Sequence, residues 1–132
     1  MPSANAVSTP IAVDTEQIRG RYAALGSYTV GFETFARDAD PAPLFTGLPG
    51  DRCQCEHWGV VTAGRITFRW PDHEETFTTG DAYYAQPGHL PLIAAGTSIV
   101  EFSPADELAA TMTVLEKNMA ALGSATMTGE RS

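Results

Sequence analysis

The feature that most restricts the fold is a series of short apolar segments between residues 53 and 104, each closed by glycine or proline. They recur about every eight to twelve residues. In "RITFRW", Ile66, Phe68 and Trp70 alternate with polar residues, so they share one face of a strand. The sequence "PDHEE" that follows supplies a hairpin turn. Short strands at this spacing predict an all-β sandwich or barrel.

The segments before and after this series have other patterns. "SYTVGFETF" alternates well enough to predict one more strand, whereas the spacing of Ile18, Tyr22 and Leu25 is compatible with a short helix. After Pro104 the apolar residues recur every three or four positions, which predicts an amphipathic helix that stops at Gly123. The residues on its apolar stripe are Leu108, Met112, Leu115, Met119 and Leu122.

These patterns divide the chain into three parts. Residues 1–25 are an N-terminal tail with a short helix, residues 26–104 are the β-barrel, and residues 105–132 are a C-terminal helix with a disordered tail. A length of 132 residues suits one domain with one core.

The charge and the apolar pattern limit the partners and the compartment. A formal net charge of -8 opposes binding to nucleic acid or to an anionic membrane. No segment approaches the roughly 18 apolar residues that a membrane span needs, and the first residues do not resemble a secretory signal. We therefore predict a cytoplasmic protein, in which thiols stay reduced.

The segment "CQCEHW" holds the two cysteines of the chain and a histidine at alternate positions. On a strand, Cys53, Cys55 and His57 share one face, which we expect to point into the barrel. Neighbouring side chains on one face are about 6.6 Å apart at the usual strand rise, which is too far for an easy disulfide. Thiolate and imidazole suit zinc, iron or copper. His89, in the turn "QPGH", is expected to lie opposite this cluster as a further ligand.

Two motifs in this region resemble those of the cupin superfamily, which are small β-barrels with a metal or ligand site inside. The first cupin motif reads Gly, five residues, His-x-His, three or four residues, Glu, six residues, Gly. Counting back from Gly64, His57 takes the Glu position, Cys53 the second His position and Asp51 the first.

The second cupin motif reads Gly, five residues, Pro-x-Gly, two residues, His. Here Gly80 opens it, Gln86 replaces the Pro, Gly88 matches, and Pro91 takes the His position, with His89 two residues earlier. The resemblance covers roughly residues 51–104 and implies an all-β cupin (jelly-roll) barrel with a C-terminal α-helix.

The resemblance together with the donor set predicts a metal held by Cys53, Cys55, His57 and His89. Zinc is expected first, with iron or copper as alternatives. Three functions stay open: a metal-dependent enzyme acting on a small organic molecule inside the barrel, a non-catalytic module that senses a metal or small ligand, and a structural barrel with a filled interior. No catalytic residue is assigned. The resemblance and leftover apolar surface also favour a homodimer.

Several residues have simpler interpretations. Buried free cysteines often act as small apolar fillers, and His89 can serve only to hydrogen-bond carbonyl groups. A solvent-facing position is the favoured interpretation for Glu101, and solvation in a turn is favoured for His73. Two adjacent tyrosines in "DAYYA" must face opposite ways, so one points inward. The two tryptophans, Trp58 and Trp70, are expected to pack between elements.

Overall fold

The computed structural model describes the backbone of residues 3–131 and, within the C-terminal helix, side chains as far as Leu122. Nine strands, one long helix and two short 3-10 helices, Ala42–Phe45 and Pro49–Asp51, make up the regular structure of this described part. The bounds are β1 Ile11–Asp14, β2 Ile18–Leu25, β3 Tyr28–Phe35, β4 His57–Ala63, β5 Arg65–Arg69, β6 Glu74–Thr78, β7 Ala82–Ala85, β8 Leu90–Ile93, β9 Thr97–Pro104 and α1 Ala105–Arg131.

The strands form two antiparallel sheets. The large sheet has the order β1-β2-β3-β9-β4-β7, and the small sheet has the order β6-β5-β8. The crossing from β3 to β9 joins strands that are far apart in sequence, as in a jelly roll. The predicted all-β architecture with a C-terminal helix is therefore confirmed. None of the helices that the structure describes has the length and apolarity needed to cross a membrane.

The core lies between the two sheets. Alternate side chains point inward from each strand, so both sheets contribute to one cluster. Its buried members are Phe35, Val61, Tyr83, Ala85 and Ile99 from the large sheet, and Ile66, Phe68, Trp70 and Ile93 from the small sheet or its border. The predicted alternation in "RITFRW" is confirmed, because Ile66, Phe68 and Trp70 are all buried.

The short helix predicted before residue 25 is wrong. Residues Ile18–Leu25 form β2, which pairs with β3 along its whole length. Pairing with a neighbouring strand overrides a weak local helix pattern, and Gly20 disfavours a helix by about 1 kcal/mol relative to alanine. The preceding tail is also anchored in part: Thr9 is buried, and the Arg21 guanidinium donates hydrogen bonds to the carbonyl groups of Val7 and Thr9.

Helix α1 begins directly after β9 and lies against the segment that precedes β4. The side-chain amide of Asn118 donates to the carbonyl oxygens of Leu44 and Thr46. Leu108 and Leu115 pack against a buried cluster that contains Phe45, Cys53 and Cys55. The last two residues of the predicted apolar stripe, Met119 and Leu122, are exposed instead of buried.

The helix also continues beyond the predicted stop at Gly123 and ends at Arg131. A glycine inside a helix costs only about 1 kcal/mol relative to alanine, so it does not by itself end one.

Tyrosine rings of the inner face cover glycines of the large sheet. The ring of Tyr83 covers Gly59, and a Cβ atom built on Gly59 would lie 2.5 Å from that ring. Tyr22 covers both Gly20 and Gly31 in the same way. These glycines give the tyrosines room inside the barrel.

We expect Gly59→Ala to lower the free energy of unfolding by about 1–3 kcal/mol, because the new methyl group overlaps the buried Tyr83 ring. Urea unfolding measures this loss. Thr34→Ala, at an exposed position of the same sheet, is the control and should change the value by less than about 0.5 kcal/mol. Equal stability of the two variants would show that the ring does not pack tightly on Gly59.

Candidate metal centre

Three ligand-type side chains meet at one end of the barrel interior. The potential donor atoms of Cys53, His57 and His89 all lie within 4.8 Å of one another, and all three residues are buried. The His57 and His89 rings are in edge-to-face contact, with centroids 5.0 Å apart. Within the described part of the chain, these three side chains form a group that could hold a metal ion.

Backbone pairing brings these residues together from positions far apart in the sequence. Cys53 and His89 form an antiparallel bridge, in which the Cys53 N–H donates to the His89 carbonyl at 3.0 Å. The Gly88 N–H donates back to the Cys53 carbonyl at 2.8 Å. His57, the first residue of β4, then points inward beside the pair. Cys53, Cys55 and His57 are all buried, but only Cys53 and His57 point toward the cluster.

Cys55 is buried but does not join the cluster. Its thiol lies 3.4 Å from the Glu56 carbonyl oxygen, and its side chain packs with Phe45 below helix α1. Regular β structure begins only at His57, so strand periodicity does not fix the position of Cys55 relative to the other two residues. The structure thus brings together three of the four predicted ligands, Cys53, His57 and His89. Both cysteines are free thiols.

The hydrogen bonds of the two histidines involve their Nδ1 atoms, and for His89 the partner fixes the tautomer, with Nε2 as the acceptor. His89 Nδ1 is 2.7 Å from the Gln86 carbonyl oxygen, which can only accept, so Nδ1 carries the proton of the neutral ring. His57 Nδ1 is 2.7 Å from Ser103 Oγ and 3.4 Å from the Glu101 carboxyl group. A carbonyl or carboxyl partner on the distal nitrogen is the usual arrangement of a metal-binding histidine.

Burial keeps all three side chains neutral. It lowers the pKa of both His57 and His89 to about 4, so both rings are uncharged at pH 7. It raises the pKa of the Cys53 thiol to about 12. Binding of a divalent metal at this place would therefore expel the thiol proton and no histidine proton.

The donor types fit zinc, and so does the separation of one sulfur–nitrogen pair. Tetrahedral coordination, with zinc–sulfur bonds of about 2.3 Å and zinc–nitrogen bonds of about 2.0–2.1 Å, separates a sulfur and a nitrogen ligand by about 3.6 Å. Cys53 Sγ and His57 Nε2 are 3.6 Å apart. Three protein ligands with one open position are typical of a catalytic zinc site, whereas a structural site has four.

Glu101 faces the barrel interior, so the favoured solvent-facing interpretation is wrong. Its carboxyl group accepts a hydrogen bond from the Tyr83 hydroxyl and contacts His57 Nδ1 at 3.4 Å. The alternation of β9 explains this position: Ile99, Glu101 and Ser103 share the inner face, while Phe102 points outward. Burial raises the Glu101 pKa to about 7.

A second acid–tyrosine pair adjoins the first. The Tyr22 hydroxyl donates to the carboxyl group of Glu33, and Glu33 also lies on the inner face of β3. Burial and the nearby Glu101 raise the Glu33 pKa to about 7. Sequence reasoning missed Tyr22, Glu33 and Ser103, although their parity with buried neighbours in each strand could have shown their inward position.

The remaining candidates lie elsewhere. Of the adjacent tyrosines, Tyr83 is buried and Tyr84 is exposed, which confirms that one points inward. His73 stands in the turn after β5, half exposed and stacked on Trp70. Trp70 is buried, as expected. Trp58 is exposed on the outer face of the large sheet, so the prediction that it packs between elements is wrong. Asp51 is exposed and does not approach the cluster.

Comparison with known proteins identifies the class of fold. The chain resembles an RmlC-like cupin from Shewanella frigidimarina, with a TM-score of 0.54 at 15% identity over 77% of this chain and 89% of that one. It also resembles a protein of unknown function from Rhizobium leguminosarum, with a TM-score of 0.55 at 13% identity over 78% and 94% of the two chains. The chain therefore has the cupin fold, as the two motifs predict. No family model and no curated protein matches the sequence.

We expect Glu33→Gln to raise the free energy of unfolding at pH 8 and to change it little near pH 4.5. The Glu33 pKa is about 7 in the folded protein and about 4.5 in the unfolded chain. The contribution of the protonated carboxyl group to stability is therefore fully present below pH 4.5 and is lost as the pH rises through 7. Glutamine cannot ionise. The gain in the free energy of unfolding at pH 8 should be on the order of 1 kcal/mol.

Urea unfolding at pH 5 and pH 8, with chelator present, measures this difference. Glu16→Gln removes the same charge at a position that is 84% exposed and serves as the control. The same change in both variants, or a change in Glu33→Gln that does not depend on pH, would contradict the account.

Proposed function

We propose that this protein is a metal-binding cupin that binds or acts on a small organic molecule inside the barrel. Cys53, His57 and His89 hold one divalent transition metal. Zinc is the first expectation because one thiolate and two imidazoles suit it, and iron or copper are the alternatives. The free thiols and the charge of -8 support a reducing cytoplasmic setting and oppose a polyanionic partner.

One observation carries this proposal: a buried thiol and two buried imidazoles converge with their donor atoms within 4.8 Å. His89 Nδ1 donates to the Gln86 carbonyl oxygen, so the Nε2 atom of its neutral ring is an acceptor. The Cys53 sulfur and His57 Nε2 lie 3.6 Å apart. One divalent metal would engage all three side chains at once.

The surroundings of the cluster suit a small polar molecule. Glu101 and Tyr83 lie beside His57, and the partly exposed Tyr22 and Glu33 extend this polar wall toward solvent. These groups can orient hydroxyl or amine groups of a bound molecule through hydrogen bonds. When bound, the metal would polarise a substrate oxygen or activate water. Glu101 is placed to hold His57 in one orientation and to accept or release a proton.

We expect the purified protein to bind about one equivalent of zinc per chain. Cys53→Ala and His89→Ala should each retain less than about a tenth of an equivalent, because each removes one of only three protein ligands. Cys55→Ala removes an equally buried thiol two residues away and should keep full stoichiometry. Elemental analysis after dialysis against zinc gives the stoichiometry, and circular dichroism verifies that each variant is folded.

Three results would overturn the proposed site: no zinc in the wild-type protein, unchanged zinc content in folded Cys53→Ala, or equal losses in Cys53→Ala and Cys55→Ala. The last result would mean that both cysteines bind the metal. Zinc should also raise the melting temperature of the wild type, because a ligand that binds only the folded state stabilises it.

A second function is supported by the packing of helix α1. Leu108 and Leu115 lie in the same apolar cluster as Cys53 and Cys55, so occupancy of the metal site has a direct route to the helix. Such a contact is what a sensing module needs. Hydrogen exchange separates the two functions: a sensor predicts that zinc slows exchange of residues 105–118 at least tenfold more than that of β2 and β3, whereas an enzyme predicts a similar change in the helix and the sheet.

A further inference from the structure

The two ring nitrogens of His57 have different surroundings. Nε2 faces the donor cluster, where it lies 3.6 Å from the Cys53 sulfur. Nδ1 lies 2.7 Å from the Ser103 hydroxyl oxygen. Both side chains are buried, with 7% of His57 and 3% of Ser103 exposed. Water therefore competes little with the hydrogen bond at Nδ1, and a bond in such surroundings is stronger than one at the surface.

Strand register places Ser103 opposite His57. Trp58 of β4 pairs with Phe102 of β9, and in an antiparallel pair the residue before the first lies opposite the residue after the second. Those residues are His57 and Ser103, and both face the interior. The Cβ atoms of such opposite residues are about 4.5–5.5 Å apart, so a short hydroxyl side chain reaches the ring nitrogen. Backbone pairing thus fixes the contact.

The groups around the ring favour a proton on Nδ1. One oxygen of the Glu101 carboxyl group lies 3.4 Å from this nitrogen, and the other oxygen accepts a hydrogen bond from Tyr83. An ionised carboxyl group can only accept, so a bare Nδ1 would set lone pair against lone pair. At Nε2 the neighbour is the Cys53 thiol, whose sulfur is only a weak acceptor. The ring N–H is therefore better satisfied at Nδ1 than at Nε2.

We propose that Ser103 is a positioning residue of the candidate metal centre. Its hydroxyl oxygen accepts the His57 Nδ1 proton and so keeps the Nε2 lone pair on the side of Cys53 and His89. A metal on Nε2 requires this tautomer, so no proton has to move between the ring nitrogens when the metal binds. This role rests on the proposed function, whereas the tautomer is a property of the metal-free protein.

Nitrogen-15 NMR of the metal-free protein, with chelator present, identifies the tautomer. The wild type should carry the His57 proton on Nδ1. In Ser103→Ala at least half of the rings should carry it on Nε2, because the 3.4 Å contact with Glu101 is too long to replace the lost hydrogen bond. Ser98→Ala removes a hydroxyl from the outer face of the same strand and should keep the wild-type tautomer. His57→Gln identifies the His57 signals among those of the three histidines.

Zinc affinity tests the consequence for the metal centre. Ser103→Ala should bind zinc about 10- to 100-fold more weakly than the wild type, which is the usual effect of removing the hydrogen-bond partner of a metal-binding histidine. Ser98→Ala should bind zinc as the wild type does. Competition with a chromophoric chelator measures the three affinities, and circular dichroism verifies that each variant is folded.

A metal-free wild type with the His57 proton on Nε2 would overturn the role of Ser103. So would a folded Ser103→Ala that keeps the wild-type tautomer, or one that binds zinc as tightly as Ser98→Ala. A wild type that binds no zinc contradicts the proposed function instead, and the NMR comparison then still decides whether Ser103 sets the tautomer. If Ser103→Ala does not fold, the wild-type tautomer decides alone, since its measurement needs no variant at position 103.

Discussion

The pairing of the Cys53 and His89 backbones is the interaction on which the candidate centre depends. Two hydrogen bonds, of 3.0 Å and 2.8 Å, join the segment before β4 to the turn before β8. The residues joined are far apart in sequence, so loop closure opposes their meeting and the surrounding sheets must offset it. Once the pair is formed, both side chains point to the place where His57 enters the barrel from β4. The cupin framework thus fixes three donors without a dedicated metal-binding loop.

The second constraint is that two acidic side chains are buried without a basic partner. In the described part of the chain, neither Glu33 nor Glu101 forms an ion pair with arginine or lysine. Each carboxyl group is instead satisfied by a tyrosine hydroxyl, and burial holds its pKa near 7. A divalent cation bound by one thiolate leaves a charge of about +1 beside these acids. The acidic wall and the proposed metal would then stabilise each other, which relates the polar interior to the donor cluster.

The sequence predicted the parts of the fold that follow from local alternation. The inward positions of Ile66, Phe68 and Trp70 along strand β5 and just after it follow from a period of two residues, and the turn residues after Trp70 indicate the hairpin to β6. The cupin resemblance also placed His89 near the first motif. The helix proposed around Ile18 and Tyr22 was wrong because β2 is held by its partner β3, and a single sequence does not show that pairing.

The separation of Cys55 from Cys53 and the inward position of Glu101 depend on finer geometry. Cys55 lies before β4 begins, where alternation no longer gives relative positions. Glu101 has charged chemistry that favours solvent on average, but its register opposite Gly31 and Gly59 places it inside the barrel. Trp58 is the reverse case: its side chain is apolar, yet the alternation of β4 exposes it while burying its neighbours on the strand.

In the proposed centre, one sulfur and two imidazoles bind a single metal ion. X-ray absorption at the zinc edge of the zinc-loaded protein tests it most directly, because it counts sulfur and nitrogen neighbours. Zinc bound by Cys53, His57 and His89 should show one sulfur at about 2.3 Å and two imidazole nitrogens at about 2.0–2.1 Å, with any remaining neighbour a light atom. Two sulfurs per zinc, or none, would contradict it.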